Sequence, residues 1–406
     1  MIVRYVVPAL GALAISATPI FAADTGLSKD AVTIGGWVDT IFTAAETPEA
    51  TGTGPLTAKE ESGTGLEFSS MASLKVNWNL SDKAKGRINL WFGNQDVNAG
   101  ASFPGAINLR EAYFVYDLGS NLSWTMGKYM NHLGWESLEP TGLYRVNFGI
   151  VGAYFYGNDV VGTAIGWSDK SSPFSGSFHV VNGYFNPLDA RNAGFRNNTA
   201  AVGTTGTGVS RPATRNNYNL AVGLDLVMGF NKDNKGEYQD NINLEFAYDP
   251  NAGSNGPSPA GLGGDVFQTG LNATIKCIPK WMFAGEVIYR NTTSARPATG
   301  VGHVAGTHTQ DLGWALLANY KFMDNASVTA NFQEVSSDWR GGGVGATTNR
   351  VVDEYTVALL TQPLRNNNFG LNAEISYLDT QEHNAAPTAG YDHAWIGAIE
   401  GIIIIP

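Results

Sequence analysis

The sequence predicts an all-β fold, a transmembrane antiparallel β-barrel of about 16 strands, and three observations carry that reading. Segments of about ten residues alternate apolar positions with small or polar ones, the period-two pattern of a strand with one greasy and one wet face. Large aromatics gather near the ends of the apolar faces, where Trp and Tyr sit at the headgroup level of a bilayer. Tight connectors alternate with long Gly, Thr, Asn and Pro-rich ones, which fits a barrel with short turns at one rim and long loops at the other.

The elements follow in order. Arg4, the apolar stretch 5–20 and the small-residue site Phe21-Ala22-Ala23 read as a secretory signal peptide over residues 1–22, leaving 23–406 as a single outer-membrane barrel domain. No later segment offers the roughly 18 consecutive apolar residues of a membrane helix, so a crossing must be made by strands. Strands are expected at 32–43, 67–80, 86–94, 109–118, 122–130 and 160–167, then at 174–184, 218–228, 241–248, 266–276 and 281–290. The last five expected strands are 312–322, 326–336, 353–364, 369–379 and 391–403. The clearest alternation sets Ala326, Val328, Ala330 and Phe332 against Ser327, Thr329, Asn331 and Gln333. Tight connectors fall at 81–83, 119–120, 278–280, 323–324 and 365–367, and long ones at 44–66, 185–217, 250–265, 291–311 and 338–352. Parity requires 131–159 to be one excursion, a third long loop, since a strand at 148–156 would give an odd count. That loop is expected to fold inward and narrow the lumen, the alternative being an ordinary rim loop with solvated charges.

Composition narrows the function classes. The formal net charge of −11 leaves no basic footprint for nucleic acid, while it fits a cation-preferring pore or simply solvated outer loops. The single Cys277 excludes an intramolecular disulfide and any multi-cysteine metal site, and reads as a small apolar residue at a strand end. His132, His179, His303, His308, His383 and His393 are scattered rather than set at metal-ligand spacing, so no metal and no other cofactor is expected. The absence of a Gly-x-Ser-x-Gly elbow, and of a phosphate-binding Gly-rich loop with its Lys, argues against an enzyme.

With no catalytic residue expected, the chemistry-bearing positions are charges in a lumen. Glu136, Glu139 and Arg145 in the third loop are the candidates for a constriction whose opposed charges set a field across the pore. On the strands, Asp39, Lys75, Arg87, Glu111, Asp225, Glu245, Glu286, Arg290, Lys321, Glu354 and Glu374 lie opposite the apolar face. Lys or Arg on the lipid face would cost roughly 2–4 kcal/mol at mid-bilayer, so these positions point inward, where they line the pore or brace the wall by pairing.

Several strings resemble the OmpL-like β-barrel porins of Gram-negative bacteria: Gly35-Gly36-Trp37-Val38-Asp39-Thr40, Leu109-Arg110-Glu111-Ala112-Tyr113, Gly127-Lys128-Tyr129 with Leu133-Gly134-Trp135-Glu136, and Val181-Asn182-Gly183-Tyr184 with Asn186. The resemblance implies a passive outer-membrane channel for small hydrophilic solutes or ions, surrounded by outer-membrane lipid, with no catalytic residues. Trimers are common among general porins of this size, so a homo-oligomer is expected. Such barrels usually finish on an aromatic, whereas this chain ends in four isoleucines and Pro406. A run without alternation predicts that regular strand stops at Ile403. Two rival readings remain: a surface adhesin or structural barrel acting through its long loops, and a secreted soluble all-β protein.

Overall fold

The computed structural model describes residues 31–47, 63–93, 107–137, 139–156, 159–185, 220–233, 236–250, 264–294, 308–340, 347–362, 368–383 and 393–405. Sixteen strands occur among them: β1 (Val32–Thr47), β2 (Gly63–Ser81), β3 (Ala84–Gly93), β4 (Ile107–Gly119), β5 (Leu122–Tyr129), β6 (Val160–Ser168), β7 (Phe174–Val181) and β8 (Ala221–Lys232). The second half comprises β9 (Tyr238–Asp249), β10 (Gly264–Ile275), β11 (Trp281–Ser294), β12 (His308–Met323), β13 (Ala326–Arg340), β14 (Thr347–Thr361), β15 (Phe369–His383) and β16 (His393–Ile405). Each pairs antiparallel with its neighbours in sequence, and β1 closes on β16 to make a barrel without a free edge.

All sixteen expected strands are present. Several run further on the long-loop side than the apolar alternation does: β14 begins at Thr347 rather than 353, and β1 reaches Thr47 rather than 43. Beyond the lipid, ladder hydrogen bonds hold the pairing and no apolar face is needed, so hydropathy loses the strand before the backbone does. The expected end at Ile403 is corrected in the same way. Ile404 pairs with Trp37 and Ile405 with Gly36 across the closing seam. The isoleucine run still alternates: Ile403 and Ile405 are exposed on the outer face, while Ile402 is buried within.

The outer face carries the alternate apolar set, with Leu312, Leu316, Val357, Ile375 and Ile399 all exposed. Near the long-loop rim the aromatics of neighbouring strands touch, Trp314 with Phe332, Phe332 with Tyr355, and Tyr377 with Trp395. At the opposite rim Trp281 stacks on Phe283 and meets Tyr320. These two aromatic tiers bound an apolar belt, the surface that lipid requires. The β4–β5 turn needs positive φ at three successive residues, Gly119, Ser120 and Asn121. Cys277 lies exposed in the turn after β10 rather than on a strand end, its N–H donating to Asp240. His303 and the middles of the other long connectors, including most of 185–217, lie outside the described residues.

The segment between β5 and β6 is a single excursion, as parity required; it folds into the barrel, and its 148–156 stretch carries a short helix instead of a strand. A 3-10 turn (Pro140–Gly142) and helix α1 (Ile150–Phe155) are its only regular pieces among the described residues. The inner wall is apolar where this loop rests: Ile288, Ala315 and Val335 bury Val151, Phe155 and Tyr156, while Met282, Ala284 and Leu317 pack against Trp135 and Tyr144. Burying Val151 and Phe155 fully contributes about 1.5–3 kcal/mol each.

Candidate functional site

The loop crosses the lumen and returns along its wall, and wall carboxylates hold it by its backbone. Leaving β5, the Gly134 N–H donates to Glu245 of β9 at 2.5 Å and the Trp135 N–H to Glu286 of β11 at 3.2 Å. On the return, Val146 and Asn147 N–H groups donate to Glu374 of β15 at 2.6 and 3.2 Å. Ile150 then donates to Glu354 of β14 at 2.9 Å, Val151 to Gln333 of β13 at 2.8 Å, and the Tyr154 hydroxyl to Asp311 of β12 at 3.1 Å. The Tyr156 hydroxyl donates to Glu286 at 2.5 Å and accepts the N–H groups of Trp135 and Glu136, locking outward and return limbs together. A hydrogen bond to a carboxylate is worth about 1.5–3 kcal/mol and one to a neutral acceptor such as Gln333 about 0.5–1.5 kcal/mol, so this row is a strong clamp on an otherwise irregular segment.

Arg145 sits at the centre of the clamp with its side chain 1% exposed. It pairs with Glu354, lies 3.7 Å from Glu374 and 4.0 Å from Glu136, and so neutralises carboxylates from two strands and from its own loop. Burial works against the guanidinium's charge, yet Glu354, Glu136 and Glu374 together raise its pKa above the ordinary arginine range. Glu136 accepts the Gly149 N–H at 2.9 Å, and burial pushes its carboxyl up to about 7 against the pull of Arg145. Of the three expected constriction residues, Glu136 and Arg145 are therefore enclosed between loop and wall. Glu139 reaches the opposite side, where it pairs with Lys75 of β2 and accepts from Asn89 of β3 at 3.0 Å.

The other expected pore-lining positions all lie on the inner face, with unequal access to water. Asp39, Glu111, Glu245, Glu286, Glu354 and Glu374 are buried. Arg87 remains 37% exposed while bonding Asn77 at 2.8 Å and lying 3.6 Å from Glu111. Arg290 pairs with Asp311 at 3.2 Å and covers the Tyr154 ring at 4.5 Å, bracing α1. Asp225 is part-buried opposite Glu245, and Lys321 is exposed near the tight-turn rim. Gln333, Asp311 and Glu400 were not singled out from sequence, although period-two alternation sets all three inward. Arg110 was missed for another reason: a register shift between Asn89 and Leu90 breaks the alternation beside it, and it lies over Trp91 and pairs with Asp159 at 3.0 Å.

The histidines, scattered in sequence, are partly brought together. The His132 and His179 rings stack with centroids 4.2 Å apart at the root of the loop, beside Tyr129 and Tyr184. Burial, with His179 beside it, lowers the His132 imidazole to about 3, so it is neutral. Among the described residues no three His, Cys, Asp or Glu side chains cluster as a metal site.

A closed sixteen-stranded barrel with a loop clamped inside it defines an architecture, and the family comparison decides its kind. Residues 31–394 match the family model described as "Putative beta-barrel porin-2, OmpL-like". The chain belongs to this family. It is thus an outer-membrane porin, a channel for solute diffusion. No curated protein matches this porin by sequence. Among solved structures it is similar to the outer membrane channel DcaP of Acinetobacter baumannii, with TM-score 0.58 and 12% identity over 92% of this chain and 96% of that one. It is also similar to the anion-selective porin from Comamonas acidovorans, with TM-score 0.55 and 11% identity over 92% and 99%. A third is OmpT of Vibrio cholerae in its trimer form, with TM-score 0.50 and 12% identity over 92% and 100%. At these identities the likeness is one of fold.

Proposed function

We propose that this porin passes small hydrophilic solutes passively, without chemistry, through a lumen narrowed by the loop between β5 and β6. The observation that carries this reading is the clamp: backbone N–H groups from Gly134 to Val151 are fixed on side chains of β9, β11, β13, β14 and β15, which keeps the loop at the middle of the pore. The acids of that wall are used in holding the loop, and Glu139 is matched by Lys75. Arg87 and Lys321 are left more open to water than the acids around them, so we expect a mild preference for anions despite the chain's formal charge of −11.

The same reading includes association with further copies. β5 and β7 have eight residues each, against sixteen in β12. Eight residues rise about 20 Å when tilted by about 40°, which is short of the roughly 25 Å apolar band of a barrel. A wall this low favours a neighbouring copy over lipid, and a trimer is the form we expect; sedimentation in detergent reads the copy number. The deciding experiment for function is single-channel recording of the refolded protein in a planar bilayer under a KCl gradient. Stable conductance steps with a reversal potential of anionic sign support the reading. Folded, detergent-dependent protein without steps would favour a plugged barrel acting through its outer loops.

A further inference from the structure

On the tight-turn side of the clamped loop an open cavity of about 150 Å³ lies between Trp135, Tyr144, Thr274, Lys276 and Met282. Trp135 and Tyr144 stack with centroids 5.9 Å apart at 22°, and the indole N–H donates to the Thr274 hydroxyl at 2.7 Å, which fixes the platform to β10. Met282, buried with Ala284 and Leu317, packs against the same two rings. These contacts make a semi-rigid apolar surface facing the lumen.

Lys276, just past the end of β10, supplies the charge. Its ammonium has no ion-pair partner among the described residues. The carboxylate on the next strand, Asp240, is already occupied by the N–H groups of Lys276 and Cys277 at 2.5 and 3.0 Å and by the Asn231 amide at 2.6 Å. Glu136 also borders the cavity, but its carboxylate is turned to the Gly149 N–H and to Arg145. A free ammonium beside a fixed aromatic pair, at the edge of a space large enough for a benzene-sized body, is a complementary surface for one kind of solute.

We propose that this cavity is a binding subsite for small organic anions, taking a carboxylate on Lys276 and an apolar body of one six-membered ring against Trp135, Tyr144 and Met282. The proposal rests on the porin reading only in that solutes reach the cavity through the lumen. A solute held there stands on the path between the constriction and the tight-turn mouth, so occupancy interrupts ion current.

The test uses 4-fluorobenzoate and the full-length protein folded in detergent, with fluorine NMR line broadening as the binding readout. Saturable broadening is expected, weakened about three- to fivefold by Lys276→Gln and kept within about twofold by Lys276→Arg, since one exposed charged contact is worth at most about a fivefold change. The neutral 4-fluorobenzyl alcohol should bind as weakly as 4-fluorobenzoate does to the Gln variant. Equal binding of acid and alcohol, equal binding by wild type and Lys276→Gln, or no saturable broadening overturns the proposal. Conductance in KCl alone is recorded on the same preparation. Conductance without Lys276-dependent binding removes the subsite and leaves the porin reading, whereas binding without conductance does the reverse.

Discussion

Arg145→Ala withdraws the guanidinium that faces Glu136, Glu354 and Glu374 inside the loop–wall junction. Removing one partner of a buried ion pair costs about 3–5 kcal/mol, because the carboxylates stay desolvated without compensation. Glu354 and Glu374 keep their backbone donors Ile150, Val146 and Asn147, which brings the loss to the lower end, about 3 kcal/mol. The barrel wall, fixed by ladders on both sides of every strand, has no cheap rearrangement available, so the penalty falls on loop docking. At tenfold per 1.4 kcal/mol the ratio of docked to released loop drops about a hundredfold. Single-channel recording should then show larger and noisier conductance, with heat-modifiable gel mobility of the barrel unchanged. Arg145→Lys should fall between, because an ammonium keeps the charge but cannot span two carboxylates as the planar fork does. Wild-type conductance and noise in Arg145→Ala would refute the clamp.

The remaining predictions follow from neighbouring contacts. Lys75→Met cuts the strap to Glu139, whose side chains are 19% and 16% exposed; a pair this open is worth at most about 1 kcal/mol, so the loop stays docked and the reversal potential moves toward cations. An unmoved potential would exclude the strap from the conducting path. Glu136 has a docked-state value of about 7 against an ordinary 4.5, so its contribution to docking is full below pH 4.5 and is lost as pH rises through 7, by up to roughly 3 kcal/mol. Loop-related current fluctuations should therefore grow between pH 5 and pH 8, and Glu136→Gln should flatten that rise. Gly313 of β12 lies under α1, and a side chain there would meet the Phe155 ring. Gly313→Val is expected to cost about 1–3 kcal/mol of docking and to raise conductance in a barrel that still folds; unchanged conductance would mean that α1 does not narrow the pore.

Parts of the docking surface were also legible in advance. In 281–288 and 312–318 most inward positions carry apolar side chains like the outward ones, Glu286 and Gly313 excepted, and apolar residues on both faces mark a strand that is buried on both. Met282, Ala284, Ile288, Ala315 and Leu317 are the inner-face members, and all touch the loop or its cluster. What could not be read was the partner of each charge. Glu374 has the same inward parity as Glu400, yet among the described residues one accepts two loop N–H groups while the other bonds only wall side chains, the Asn372 amide and Asp39.

The sequence by itself determined the strands, their number and most of the residues that face inward, Arg110 beside the β3–β4 register shift excepted, because alternation is local: each side chain's face follows from its immediate neighbours and the bilayer punishes a wrong one. Only the tertiary structure decided which inward charges remain exposed in the lumen. Arg145 meets Glu354 across 209 residues and Val146 meets Glu374 across 228, separations over which no periodicity carries information. Closing the barrel and folding one loop into it brought those groups together, and burial then made them structural ties instead of pore charges.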